Sequence, residues 1–310
     1  MRFRTVKVKP SKKAIRESIS MGILAIPGII FLLIFNYLPM FGIVIAFKNF
    51  KPLKGIMGSE WNGFDNFKYF FSSNDAYIVI RNTLLYNIAW LILGTICSVG
   101  LALMFYSVKS NKALKVYNTV MLMPKFLSAV ILSFLAELFL NYRYGYLNQL
   151  LANFGRDRID WYTKVEFWPF ILTIVQVWAT VGMSSMFYYA SLMTLDEELL
   201  SAAKVDGANK AKQIWHVMIP HLIPIITIQS IMSVGGMFNS NLDLFYQVPQ
   251  NVGVLYPATD VISTYTYRTM LKGTLGRASA VGLAQSVAGF ILVMITNAIV
   301  KKISPENRLY

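Results

Sequence analysis

Residues 201–220 read SAAKVDGANKAKQIWHVMIP, a polar stretch between two long apolar runs, Phe167 to Met193 and Leu222 to Phe238. Its pattern predicts two short helices joined by a sharp turn. The first, from Asp196 to Val205, sets Leu199, Leu200, Ala202, Ala203 and Val205 among acids and a lysine, an amphipathic arrangement. Asp206 and Gly207 form a natural break, because Asp is a good N-cap and Gly tolerates backbone angles that other residues avoid. A second helix beginning near Ala208 presents Ala211, Ile214, Trp215 and Met218 on one side, and Pro220, which has no N–H to donate, marks its exit. By pattern alone the segment is either an ordinary loop with a surface helix or a rigid lever between spans.

Working outward, the surroundings read as membrane. The chain has 310 residues, 55% of them hydrophobic and 14% charged, too apolar for an ordinary soluble domain. Apolar runs occupy Met21 to Phe47, Ile78 to Tyr106, Val116 to Leu140, Phe167 to Met193, Leu222 to Phe238 and Ala280 to Val300. A spanning helix needs about 20 residues, so these predict an all-α membrane protein with six transmembrane helices. The fifth is the shortest, and it contains Pro224 and Gly235-Gly236. The N-terminal run continues past Pro39 with no A-x-A site after it, which reads as an uncleaved span rather than a leader.

The net charge of +14 does not call for nucleic acid, because the basic residues crowd the span ends. Arg2, Arg4, Lys7, Lys9, Lys12, Lys13 and Arg16 precede the first span, which by the positive-inside rule places the N-terminus in the cytoplasm. Alternation then puts Lys109, Lys112 and Lys115, the 201–220 segment and the tail with Lys301, Lys302 and Arg308 on the same side. The expected location is the plasma membrane, multi-pass, with both termini cytoplasmic. Cys97 is the single cysteine, so no internal disulfide forms, and within a span it reads as a packing residue. His216 and His221 are too few for a metal site.

Ala202, Ala203, Asp206, Gly207, Ala208 and Pro220 fall at the spacing of an E-A-A-x-x-D-G-A-(x)n-P loop. In this the chain resembles the membrane subunits of binding-protein-dependent ABC importers, whose coupling loop carries that motif. The resemblance implies a type I ABC importer transmembrane fold in which this cytoplasmic coupling helix, Trp215 included, docks into a groove on an ATPase. The Glu at the head of the motif is Ser201 here, and Glu197 and Glu198, four and three residues earlier on roughly the same face, are its candidate substitutes. FKNFKPLKGIMGSEWNGFDNF after the first span and STYTYRTMLKGTLGRASAVGLAQS before the last resemble the oligosaccharide and polysaccharide-fragment permeases of Gram-positive bacteria. The implied organisation is a basic cytoplasmic stretch over 1–20, a first span and extracellular connector over 21–77, a five-helix transport domain over 78–302 and a tail over 303–310.

A sugar route needs neutral hydrogen-bonding groups and aromatic faces, and polar residues inside spans are where to look. Gln176, Trp178, Tyr188 and Tyr189 on the fourth span, with Phe238, Asn239 and Asn241 at the end of the fifth, are the candidates, beside the amides Asn87 and Gln229. Glu137 is the one acid well inside a span, a substrate contact or else a partner for Lys125 or a loop base. For each aromatic the alternative is interhelical packing. Tyr144, Tyr146, Tyr256 and Tyr265 lie in long polar loops where the resemblance implies an extracellular solute-binding lipoprotein docks.

No G-x-x-x-x-G-K-[ST] occurs, so hydrolysis of ATP, with its Mg, belongs to separate cytoplasmic ATP-binding subunits, and this chain binds no cofactor of its own. One such subunit is too small to enclose an oligosaccharide path, and the resemblance implies a second, different permease chain. Two competing classes are weighed against this. An ion-coupled secondary transporter requires ionisable groups near the midplane, where Glu137 stands alone. A membrane-embedded glycan- or lipid-modifying enzyme requires clustered acids or metal ligands, for which Asp243 and Asp260 are the nearest pair.

Overall fold

Within a bilayer every backbone N–H and C=O must find its partner inside the protein, so the apolar runs have little choice but to form helices. The computed structural model describes residues 12–303. The basic residues Arg2, Arg4, Lys7 and Lys9, and the tail with Arg308, lie outside the described residues. Helix α1 (Lys12–Leu32) runs on through a widened turn at Leu33–Tyr37 into a tight 3-10 stretch at Leu38–Phe47. The connector that follows is ordered, as its aromatic content predicts. Strand β1 (Lys48–Asn49) pairs antiparallel with β2 (Glu60–Trp61), with α2 (Gly55–Gly58) between them. Phe47 stacks on Trp61 at 5.7 Å and meets Phe64 edge-on at 5.4 Å. The buried Asn66 of α3 (Asp65–Phe71) donates to the carbonyls of Ala46 and Lys48, at 2.8 and 3.0 Å.

Helix α4 (Asn74–Ser107) is capped by the Ser73 hydroxyl and crosses in one piece. The next run does not. Helix α5 (Asn111–Leu122) and helix α6 (Ala129–Leu140) meet at an angle of 100°. Pro124 heads a 3-10 turn, Leu127 and Ser128 are extended, and the Ser128 hydroxyl caps α6 at the Ile131 N–H. The run from Val116 to Leu140, expected as a single span, is therefore broken: hydropathy registers its side chains, whereas the bend is set by a proline that withholds a donor and a serine that starts a new helix. Helix α7 (Tyr146–Asn153) lies in the following loop, and α8 (Trp168–Leu192) packs against α4.

The 201–220 segment supplies α9 (Glu197–Val205) and α10 (Lys210–Gln213), and α11 (Ile219–Gly235) follows. Helices α12 (Leu242–Gln247), α13 (Tyr256–Thr259) and α14 (Ile262–Leu271) build a cap at the opposite end, before α15 (Leu275–Ile303) closes the bundle. Among the described residues, five helical stretches are long and apolar enough to cross a membrane, and counting the bent α5–α6 pair as one span brings the number to six.

Two buried clusters tie the ends together. At the cap end Trp168 and Leu172 pack with Phe245, Val248 and Leu255; at the other, Ala102, Tyr188, Leu192 and Leu222 join α4, α8 and α11. Much apolar surface stays outside, including Phe31, Phe35, Ile96 and Phe290. Cys97 is exposed on α4, not packed as its position in a span suggests. Where α8 crosses the end of α5, Gly182 leaves no room for a side chain: a Cβ there would lie 1.8 Å from the Met121 carbonyl oxygen. Gly182→Val should therefore push α8 off the α5 bend and cost on the order of 3 kcal/mol, seen as an early loss of the monodisperse peak when the detergent-solubilised protein is heated. An unchanged melting profile would mean that the contact is not needed.

Candidate functional site

The turn at Gly207 is built to a tight specification. Asp206 closes α9, Gly207 takes φ +77°, and the chain reverses at once. The Ala208 N–H donates to the Ala203 carbonyl (2.9 Å) and the Gly207 N–H to the Lys204 carbonyl (3.0 Å), the paired bonds of a Schellman motif. A side chain at position 207 meets no neighbour; the constraint is the left-handed backbone, which glycine adopts without cost. Asp206 is thus a helix C-cap. The N-cap of the next helix is Asn209, whose Oδ1 accepts from the Lys212 N–H at 2.9 Å. Buried Gln213 reaches back to donate to the Ala208 carbonyl (2.8 Å), so the turn is held from both sides.

Beyond the turn the expectation of a separate second helix ending at Pro220 fails. Residues Lys210–Gly235 form one continuous span-length helix, with Pro220 in the first turn of α11. A π-helical turn at Ile214–Met218, in which the Ile219 N–H donates to the Ile214 carbonyl, widens the backbone just before the proline ring. That widening is how a helix carries a residue that cannot donate. At its base His221 Nε2 lies 3.0 Å from the Ser191 carbonyl, fixing the segment to the end of α8. Outward, Leu199, Val205 and Trp215 are exposed, Val205 by 87%, and Ala202 is exposed beside them. Glu197 and Ser201 line one groove between α9 and the ends of α4 and α5; Glu198 is not part of it.

A second feature lies midway along the spans. A cavity of about 360 Å³ between α4, α8 and α11 is lined by side chains without charge, among them the amides Asn87, Gln176 and Gln229 and the hydroxyls of Thr95 and Ser184. Trp90 Nε1 and Ser98 Oγ belong to its wall, are buried, and find no partner among the described residues. Of the sequence candidates, Gln176 and Tyr188 meet here. The others do not. Trp178 is 46% exposed elsewhere on α8, and Tyr189 lines the groove beside α9 and packs edge-on to Phe105. Phe238 and Asn239 line a separate cavity of about 320 Å³ against α15, and Asn241 spends its side chain capping α12. Glu137 faces the cap, where it accepts from the Tyr144 hydroxyl at 3.0 Å and from Asn141 and Gln250 at 3.4 Å each; among the described residues no base pairs with it. That hydrogen bond holds the Tyr144 phenol above its usual range.

These features match a known family. The profile described as "Binding-protein-dependent transport system inner membrane component" matches residues 91–305. The chain belongs to this family. As one of its inner membrane components it is a multi-pass transport subunit rather than an enzyme. It is 32% identical, over 92% of its length and 88% of the relative's, to the polygalacturonan/rhamnogalacturonan transport system permease protein YteP of Bacillus subtilis. A crystal structure of a bacterial ABC transporter involved in import of the acidic polysaccharide alginate contains a similar chain, with a TM-score of 0.85 and 31% identity over 94% of this chain and 98% of that one. Another, of the bacterial alginate transporter with an alginate pentasaccharide-bound periplasmic protein, gives 0.84 and 30% over 94% and 97%.

The cap of this family member is clamped to α4 by polar contacts that sequence reading missed. Asn82 Nδ2 donates to the carbonyls of Pro257 and Asp260, Thr83 Oγ1 accepts from the Ile262 N–H, and the Tyr86 hydroxyl donates to the Ala258 carbonyl. Asp260, buried, takes Arg268 and Thr264 as partners, and Arg268 lies over the Tyr256 ring at 4.0 Å. Burial pushes the Asp260 carboxyl up, against the pull of Arg268 and Thr264. Tyr256 and Tyr265 share a cavity wall here and are half-buried, Tyr265 against Phe70, whereas Tyr144 and Tyr146 are exposed in a different loop. Asp260 therefore belongs to an ion pair rather than to an acid cluster with Asp243. The signal available for the cavity was polar residues recurring on one helix face, eight and three residues apart at Asn87, Thr95 and Ser98 on α4 and four apart at Gln176, Thr180 and Ser184 on α8.

Arg268→Met should strip the buried carboxylate of its counter-charge and cost about 3–5 kcal/mol, while the double change Asp260→Asn with Arg268→Met restores much of that. Thermal unfolding of the purified protein distinguishes them; equal losses in the single and double variants would remove the ion pair from the account of the cap.

Proposed function

We propose that the chain is the membrane-spanning subunit of an ATP-driven importer that moves a carbohydrate, an oligosaccharide, handed to it by an extracellular solute-binding lipoprotein. The observation that carries this reading is the rigid Gly207 turn standing at the head of a continuous helix that also lines the uncharged cavity. In this reading the basic span ends put the turn in the cytoplasm with both termini. The exposed Leu199, Val205 and Trp215 and the small Ala202 seat in an ATPase groove, with Glu197 standing in for the missing head carboxylate beside Ser201. ATP and Mg are handled by those ATP-binding subunits. Closure of the ATPase pair moves the turn, and the two-state bundle follows.

The cavity supports the substrate class. Amides and hydroxyls exchange hydrogen bonds with sugar hydroxyls, Phe187 and Tyr188 offer ring faces, and the partnerless Trp90 Nε1 and Ser98 Oγ are donors held ready in a site with no fixed charge. The related transporters named for polygalacturonan, rhamnogalacturonan and alginate support it from outside the chain. A second permease subunit of different sequence closes the open side of the path. The binding protein docks on the cap and the loop with Tyr144 and Tyr146, as the alginate transporter's own complex with a periplasmic protein suggests.

Gly207→Val puts a β-branched residue where the backbone is left-handed, at a cost on the order of 1–3 kcal/mol. The variant should insert and assemble but lose uptake of labelled oligosaccharide by about tenfold while ATP hydrolysis continues. Normal uptake in a strain carrying only this variant would count heavily against the lever.

A further inference from the structure

The groove beside the Gly207 turn is larger than the central cavity, about 660 Å³. Its accessible apolar lining is Leu114, Met193, Ile214, Met218 and the ring of Tyr189, with the buried Phe105, Leu195 and Leu200 beside them. Its polar wall carries Lys109, Lys204 and Lys210 against a single carboxylate, Glu197. None of the three ammonium groups has an acidic partner within 4.0 Å among the described residues, where the ion pairs are Lys54 with Glu60 and Arg268 with Asp260. Three unpaired cations over an apolar trough, at the ends of α4 and α8 where the spans leave the membrane, match an amphiphile: an anionic head on the lysines and an acyl chain along the floor.

We propose that this groove binds an acidic phospholipid by its phosphate, next to the coupling turn. The proposal rests on the reading that the turn lies at the cytoplasmic membrane boundary, where anionic head groups are concentrated. One wall of the groove is α9 and α10 and the other is the α4–α5 link, so a bound lipid bridges the moving segment and the bundle. Any change in groove width as the turn moves is then linked to lipid occupancy, and the lipid biases coupling without touching nucleotide or sugar.

The complete transporter, purified and exchanged into equal parts phosphatidylglycerol and phosphatidylcholine, is the material for the test, with retained lipid counted by native mass spectrometry. The wild type should keep phosphatidylglycerol in preference. The triple change Lys109→Gln, Lys204→Gln and Lys210→Gln should abolish that preference, each lysine contributing about fivefold, and arginine at all three positions should restore it. Lys112→Gln with Lys115→Gln removes charge from α5 outside the groove and should change nothing. Equal loss in the two glutamine sets would mean diffuse attraction and overturn the site, as would no lipid preference in the wild type. Displacement by millimolar inorganic phosphate would assign the lysines to a free anion and overturn the lipid. The readout needs no ATP hydrolysis: a chain that keeps the lipid but assembles with no ATPase would sink the coupling reading and leave this site standing.

Discussion

A single left-handed residue, Gly207, decides how force can enter this protein. Its φ of +77° lets α9 end in two close backbone bonds and lets α10 begin three residues later, capped by Asn209 and braced by Gln213. A longer or looser link would absorb displacement. This one joins a short exposed helix to a helix that runs unbroken from Lys210 to Gly235 and contributes Gln229 and Ser233 to the central cavity. Surface and path are therefore parts of one stiff element, and the widened turn before Pro220 lets that element pass a proline without parting.

The irregular backbone between α5 and α6 is held on one side by α8, with Gly182 pressed on the Met121 carbonyl and Pro124 buried, while Met123, Lys125, Phe126 and Ser128 stay exposed. At the cap end, the short helices after α11 leave many carbonyls unpaired along the chain, and the side chains of Asn82, Tyr86 and Ser133 donate to them. The cap is thus fastened by polar contacts, and α4 serves as its frame at one end and as a cavity wall at its middle.

Much of this was legible in the sequence because it is written in local terms. Apolar runs gave the spans, and Asp206-Gly207 gave the turn. What stayed hidden depends on contacts across the fold. Val116 to Leu140 reads as one span because apolar side chains on both sides of Pro124 score alike. Pro220 reads as an exit because the π turn that accommodates it leaves no mark in composition. Trp178, Tyr189, Phe238 and Asn241 read as path residues because type and span membership say nothing about helix face, whereas Gln176 and Tyr188 happen to share the face of α8 turned to α4 and α11. Asp260 and Arg268, eight residues apart, read as two charges until α13 and α14 fold them together.

The central claim is that the coupling segment and the fifth span move as one body. Spin labels at exposed Val205 and Met232, in the assembled transporter, report the distance between the tip of the segment and the cavity end of α11 by pulsed electron paramagnetic resonance. The account predicts a single distance that is the same with and without ATP under conditions that support uptake. A distance that broadens or shifts when ATP binds would contradict it, because the segment would then be bending where the structure makes it stiff.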